Sequence, residues 1–358
     1  MAEHYRTKSR RKISIFSIII LVFSFIILIG IVITLNCLWN YLEAYENHNP
    51  TNVVNKYINS LEDKDYSKAV AASGFKYDYF NDEKAFGKYI SNTFQNDFSK
   101  IKSLKSGIDG EKVNYNIYAD NKKVSTVTLI PDKKADKYGM KGWDIKTAEI
   151  KKLYSVKIIA PEAAKVFIDD KEVTPEYITS EKYEIKAYSA LDNKDLAPKF
   201  SVYEVKDLLN KPIVTSNSSN GEALLVSVDE KTSTAMCMPK MSEEWTEEIK
   251  SAVQTAIFKY ASYTTTDTTF NDLSAYVYKD CEFFRKIKDF ENKWQITHTY
   301  SCDNVKFKDI VKYDDEHFTA SISFTYNYKR GKTEQPSDVS YNTCFIKENG
   351  KWLLVTIY

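Results

Sequence analysis

Glycine is scarce in this chain, 10 residues among 358, and no group of them forms the loop that cradles a phosphate. Histidine is scarcer still. Beyond the first twelve residues only His48, His298 and His317 occur, so a Ser/His/Asp or Cys/His nucleophilic set would have to use one of the last two. No G-x-S-x-G elbow, and no S-x-x-K with its companion motifs, places a nucleophile beside them. Cys37, Cys237, Cys281, Cys302 and Cys344 include no C-x-x-C, which argues against a zinc ribbon or a thioredoxin-type redox site. Their odd number argues against a complete disulfide framework; Cys302 and Cys344 fall on expected strands of one domain and could pair, whereas small buried hydrophobes are the alternative role for most. Cys281, His298, Cys302, His317 and Cys344 are too irregularly spaced to read as a zinc set. The 49 acidic residues single out no carboxylate pair for glycoside cleavage. No catalytic residue, cofactor or metal is assigned.

Lysine and arginine form no block outside the N-terminal tail, and without that tail the chain is mildly acidic, so it has no electrostatic footprint for nucleic acid. Tyrosine is abundant at 26 residues. Aromatic platforms for sugars or peptides are one use for it; codon bias from an AT-rich bacterial genome and β-propensity are a cheaper account.

One long apolar run dominates what is present. Residues Ile13 to Leu35 carry no charge and as a helix would measure roughly 34 Å, enough for a bilayer core of about 30 Å. Arg6, Lys8, Arg10, Arg11 and Lys12 precede it, and mixed polar sequence follows Trp39. The positive-inside rule therefore predicts a cytoplasmic tail (1–12), a membrane helix (13–35), and everything after a juxtamembrane linker (36–49) outside. A cleaved signal peptide would have a shorter apolar core and a small-residue cleavage site, and ITLNCLWNYL has no such pattern. Asn36 and Thr34 likewise spoil a lipidation motif at Cys37.

The first outer segment, 50–152, opens on helices. Pro50 stands at a start position, Val54, Tyr57, Ile58 and Leu61 recur at helical spacing, Asp65 can cap a second helix, and Phe86, Tyr89, Ile90 and Phe94 mark a third. Strands follow through Val113, Tyr115 and Ile117, a turn at Asp120-Asn121-Lys122-Lys123, and VSTVTLI up to Pro131, closing on Gly142-Trp143. The last segment, 241–358, repeats this order. Ser242 is expected to cap a helix bearing Trp245, Ile249, Ala252, Val253, Ala256, Ile257 and Tyr260, and Phe318 to Tyr328 alternate as a half-buried strand. The chain closes on Asn349-Gly350-Lys351-Trp352 and a terminal strand, WLLVTIY, apolar on both faces. That pattern predicts an interior strand with Trp352 in the core. Between the two segments, 153–240 reads as all-β: strands at Tyr154 to Ile158, VFI, YEIKAYS and ALLVSVD, a hairpin turn at Asp169-Asp170, and a helical turn over Val205 to Leu209.

Helices, a hairpin and a closing Gly-(Lys)-Trp strand, twice over, resemble the NTF2-like α+β cone, in which a bent sheet wraps a helix. AKVFIDDKEVTPEYI resembles the hairpin of small immunoglobulin-like envelope modules. The implied fold class is α+β: a single transmembrane helix, then two NTF2-like domains flanking a small all-β module. This order resembles Gram-positive envelope proteins such as the teicoplanin-resistance-associated membrane protein family; NTF2-like domains also precede the catalytic domain of some penicillin-binding proteins. Many of the former carry a cytoplasmic zinc ribbon, and this tail has no cysteine. If the strand after Trp294 faces a concave cleft, Trp294, His298 and Tyr300 line it with Ile296; core or rim positions are the alternative. The expected function is a non-enzymatic, extracytoplasmic binding or scaffold protein. It would sit in the lipid bilayer through 13–35 and present its C-terminal module to cell-wall polymer or a membrane partner. A small-ligand receptor or enzyme using the C-terminal cleft, and a structural spacer, are the competing readings.

Overall fold

A computed structural model describes residues 14–95, 97–150, 153–242, 245–290, 297–330 and 332–358. It is a mixed α+β protein with an N-terminal apolar helix and several antiparallel sheets. Ile13 and the tail cations Arg6, Lys8, Arg10, Arg11 and Lys12 lie outside the described residues.

Helix α1 (Ile15–Asn47) is long and apolar enough to cross a membrane, with mean hydropathy 3.3 in its most apolar stretch and no buried residue. It does not stop at Leu35. The stretch expected as a linker is helical to Asn47, because no proline or glycine interrupts it between Gly30 and Pro50. The full helix is therefore about 50 Å long.

By compactness the chain divides into two units, Met1–Lys152 and Leu153–Tyr358. In the first, α2 (Pro50–Glu62), α3 (Ser67–Ser73) and α4 (Glu83–Phe94) precede β1 (Lys102–Asp109), β2 (Lys112–Ala119), β3 (Lys122–Ala135) and β4 (Lys141–Ala148). Asn49 and Asp82 cap α2 and α4 through their side-chain oxygens. The strands pair in sequence order, all antiparallel. Asp120 (φ 47°) and Asn121 (φ 59°) make the tight turn between β2 and β3. Contrary to expectation, β3 runs on through Pro131. A proline has no N–H for a ladder, but β2 accompanies β3 only as far as Leu129, so Pro131 pairs with Trp143 of β4 alone and its other side is an edge.

The second unit begins with β5 (Tyr154–Pro161), β6 (Lys165–Ile168), β7 (Lys171–Glu172), β8 (Phe200–Leu208), β9 (Val214–Asn217), β10 (Leu225–Asp229) and β11 (Thr234–Met238). They form one sheet in the order β10-β11-β5-β8, in which β11 and β5 run parallel, and a second in the order β7-β6-β9. Asp169 and Asp170 are turn formers with φ 47° and 66°. Two expectations fail here. Val205 to Leu208 is strand, not helical turn: Asp207 has φ 58° and the register slips nearby, so a bulge brings Val205 and Leu208 to the same buried side and imitates helical spacing. YEIKAYS is not a strand; Lys186–Tyr188 is a 3₁₀ turn that buries Ile185 and Tyr188 three residues apart.

Then come α5 (Glu247–Thr264), α6 (Phe270–Ser274), α7 (Glu282–Lys288), β12 (Thr297–Lys312), β13 (His317–Arg330), β14 (Thr333–Glu348) and β15 (Lys351–Ile357). Three helices and a four-stranded antiparallel meander thus recur in the order seen in the first unit. Thr246, not Ser242, caps α5. Ser242 spends its backbone on β12 instead, donating its N–H to Ile310 at 2.8 Å and accepting from Ile310 at 3.3 Å. Strand β15 is the sheet's last strand rather than an interior one, yet its free edge is occupied: Tyr278 donates to Leu354 and Leu354 to Tyr276, both at 2.9 Å. Leu354 and Val355, neighbours at a bulge where the β14 register slips, are both 0% exposed and belong to one buried cluster, so the strand is tied into the core. Trp352 is half-buried, not a core residue. Its ring meets Phe318 edge-on at 4.6 Å while Nε1 donates to Glu248 at 2.9 Å.

All five cysteines are free. Cys302 faces Tyr326 and Cys344 faces Thr319 on β13. Seven positions along a strand separate them by roughly 23 Å, whereas a disulfide needs Cα atoms within about 7 Å.

Candidate functional site

A strap from the β-rich segment is laid over the last helix-and-sheet layer. Tyr188, 1% exposed, directs its hydroxyl at two strand carbonyls, Phe345 at 3.0 Å and Phe318 at 3.2 Å. Glu282 donates its N–H to Ala190 at 2.8 Å, and Arg285 clasps Asp192 with two bonds of 2.6 and 2.8 Å. The guanidinium beside it holds the Asp192 carboxyl below the usual carboxylate range.

His317 completes the strap. It is buried beside a cavity of about 450 Å³ whose lining includes Asp195, Lys199, Tyr313, Asp314 and Lys347. Its Nδ1 lies 2.7 Å from Asp314 Oδ1, and its Nε2 donates to the Leu196 carbonyl at 2.7 Å. Burial pushes the Asp314 carboxyl up, but the hydrogen bonds from His317 and the Glu316 N–H outweigh it and hold it low. A His-Asp pair serves nucleophilic catalysis only when the remaining ring nitrogen is free for a hydroxyl or thiol. Here that nitrogen is spent on a backbone carbonyl, and among the described residues no Ser, Thr or Cys lines the cavity. The pair is a clamp.

A second cleft, about 310 Å³, opens between α5, α7 and β15. Tyr260, Tyr263, Phe283 and Phe290 form its aromatic wall, with Glu282 and Lys286 paired at 2.7 Å beside them. Tyr263 donates to the Ile287 carbonyl at 2.7 Å, which fixes its ring. Phe290 is 43% exposed, high for a phenylalanine. Burial pushes the Tyr260 and Tyr263 phenols up, so both stay neutral across the physiological range. Rings of this kind can stack on a sugar or an aromatic group, and the Glu-Lys pair can orient its polar atoms. The interior proper is filled. Between α5 and the sheet, Val253, Ile257, Phe318, Ile322 and Phe345 are in one buried cluster.

Of the residues expected to line a cleft, Trp294 lies outside the described residues, and so do the side chains of His298 and Tyr300, whose backbone belongs to β12. Tyr263, Phe283 and Phe290 were not singled out from the sequence. The available signal was Tyr260 and Tyr263, three apart at the end of α5, followed by the aromatic-rich C-E-F-F-R-K-I-K-D-F.

No family model matches the chain, and no curated protein matches it. Among solved structures it is similar to an NTF2-like protein involved in plasmid conjugation, with 9% identity over 83% of this chain and 96% of that one, at a TM-score of 0.22. It is also similar to the helical cell shape determining protein Pgp2 from Campylobacter jejuni, with 11% identity over 69% of this chain and 88% of that one, at a TM-score of 0.20. At such scores neither likeness carries an argument. What the structure defines is the class: a mixed α+β protein with, among the described residues, one helix long and apolar enough to cross a membrane.

Proposed function

We propose that this is a non-enzymatic, membrane-anchored binding or scaffold protein of a Gram-positive cell envelope. Helix α1 is its single anchor, the basic tail is cytoplasmic and the rest of the chain is outside. Residues 50–152 and 241–358 are NTF2-like modules flanking a β-rich, immunoglobulin-like segment at 153–240, the layout that resembles the teicoplanin-resistance-associated family. The C-terminal module engages cell-wall polymer, and its aromatic cleft provides the stacking surface. The observation that carries this reading is the filled space between α5 and its sheet, with the His317 ring clamped at both nitrogens. Such an interior supports surface recognition over enclosed chemistry.

The test is co-sedimentation of the full chain in detergent micelles with insoluble peptidoglycan. Wild type should pellet, and Phe290→Ala should weaken binding about tenfold through loss of one exposed stacking ring. Failure of the wild type to pellet, together with a melting point raised by a small soluble ligand, would favour the receptor reading instead.

A further inference from the structure

The hairpin between β3 and β4 is tied to the anchor helix. The Tyr138 ring packs edge-on against Tyr41 of α1, centroids 5.6 Å apart, and His48 at the helix end lies 3.8 Å from Asp136. Tyr41 is six residues past Leu35, or roughly 9 Å along the helix axis from the end of the apolar run. The headgroup layer on each side of a bilayer core is about 5–8 Å thick. With Leu35 at the edge of the hydrocarbon, the hairpin is therefore held within a Debye length, about 8 Å, of the lipid headgroups. Exposed Trp39 and Tyr45 on the same stretch of helix are the aromatic types that settle at that interface.

The hairpin's charge suits such a place. Lys133, Lys134, Lys137 and Lys141 are all exposed. Of its three acids, Asp144 is exposed and the other two are turned to local partners. Asp136 accepts from the Tyr138 and Met140 N–H groups at 2.8 and 2.9 Å, which builds the turn. Asp132 folds back over Gly142, where a side chain would collide with its carboxyl, and shares a hydrogen bond with Asp144 that pushes it above the usual carboxylate range.

We infer that the β3–β4 hairpin is a second membrane contact, a lysine-rich finger that binds the anionic headgroups of the leaflet from which α1 emerges. The inference rests on reading α1 as an anchor. It adds to that reading a surface that senses lipid charge and sets how the first unit sits on the bilayer. Each lysine neutralised should lower the docked-to-undocked ratio roughly fivefold, and three together about a hundredfold.

The experiment places the full chain, carrying Cys37→Ser and an environment-sensitive fluorophore at Met140→Cys, in nanodiscs with and without phosphatidylglycerol. Emission should shift to the blue only in the anionic discs, revert with added salt, and revert in Lys133→Gln/Lys134→Gln/Lys137→Gln. A chain that enters both kinds of disc and emits identically in them would overturn the hairpin contact and leave the anchor standing. A chain that enters neither would overturn the anchor and the contact together.

Discussion

Replacing Tyr188 with alanine should destabilise the second unit by about 3–5 kcal/mol, the range for emptying the site of a large buried aromatic. That is a large share of the roughly 5–15 kcal/mol that holds an ordinary domain together. The ring belongs to the β-rich segment, yet it is buried among residues of the C-terminal sheet and its hydroxyl reaches the Phe318 and Phe345 carbonyls. The loss should therefore be felt on both sides of residue 240. Thermal melts followed by hydrogen exchange should show β5 and β13 losing protection together, while β2 in the first unit keeps its own melting point. Tyr188→Phe separates the two contributions. It keeps the packing and should cost only about 1–3 kcal/mol for carbonyls left without that donor. A Tyr188→Ala chain in which residues 241–358 melt unchanged would show that the strap is an ornament on an independent domain.

Leu354→Asp and Val355→Asp should each abolish folding of the second unit. The two side chains are consecutive in β15, sit at the bulge beside Phe345, and are both 0% exposed within one buried cluster. A charge buried at either site without a partner costs more than about 4 kcal/mol. On a loosely docked terminal strand either would be tolerated, so the pair measures how firmly β15 is tied into the core. Circular dichroism and limited proteolysis of the full chain read the outcome: residues 153–358 degrade, residues 50–150 resist. By contrast Trp352→Ala should cost less than the loss expected of a core tryptophan, because its indole is half-buried and bonded to exposed Glu248.

These two sites also show what was legible in the sequence. Uninterrupted apolar character announced α1, and strict alternation over Phe318 to Tyr326 announced β13, since one face must be buried for that pattern to make sense. The tight turns at Asp120-Asn121 and Asp169-Asp170 were legible because short acidic and amide side chains tolerate positive φ. Failures came where tertiary contact overrides local spacing. Ser242 looks like a helix cap until β12 offers its backbone a partner, and the bulge at Asp207 lends β8 the spacing of a helix. Tyr188 reads as a strand residue because nothing nearby in the chain reveals its acceptors 130 and 157 residues away. The aromatic cleft was hidden for the same reason. Its wall is assembled from α5, α7 and the strand β15, which are distant in sequence, and periodicity within one element does not report which neighbour it meets.

In the proposed topology α1 is a membrane anchor and the residues after it stand outside the cell. Proteinase K added to intact cells stripped of their wall probes that topology, with an epitope placed before Arg6 to follow the N-terminus. The full-length chain should disappear, and only a short tagged fragment, the tail with α1, should survive until the cells are lysed. A full-length chain that resists the protease until lysis would contradict it.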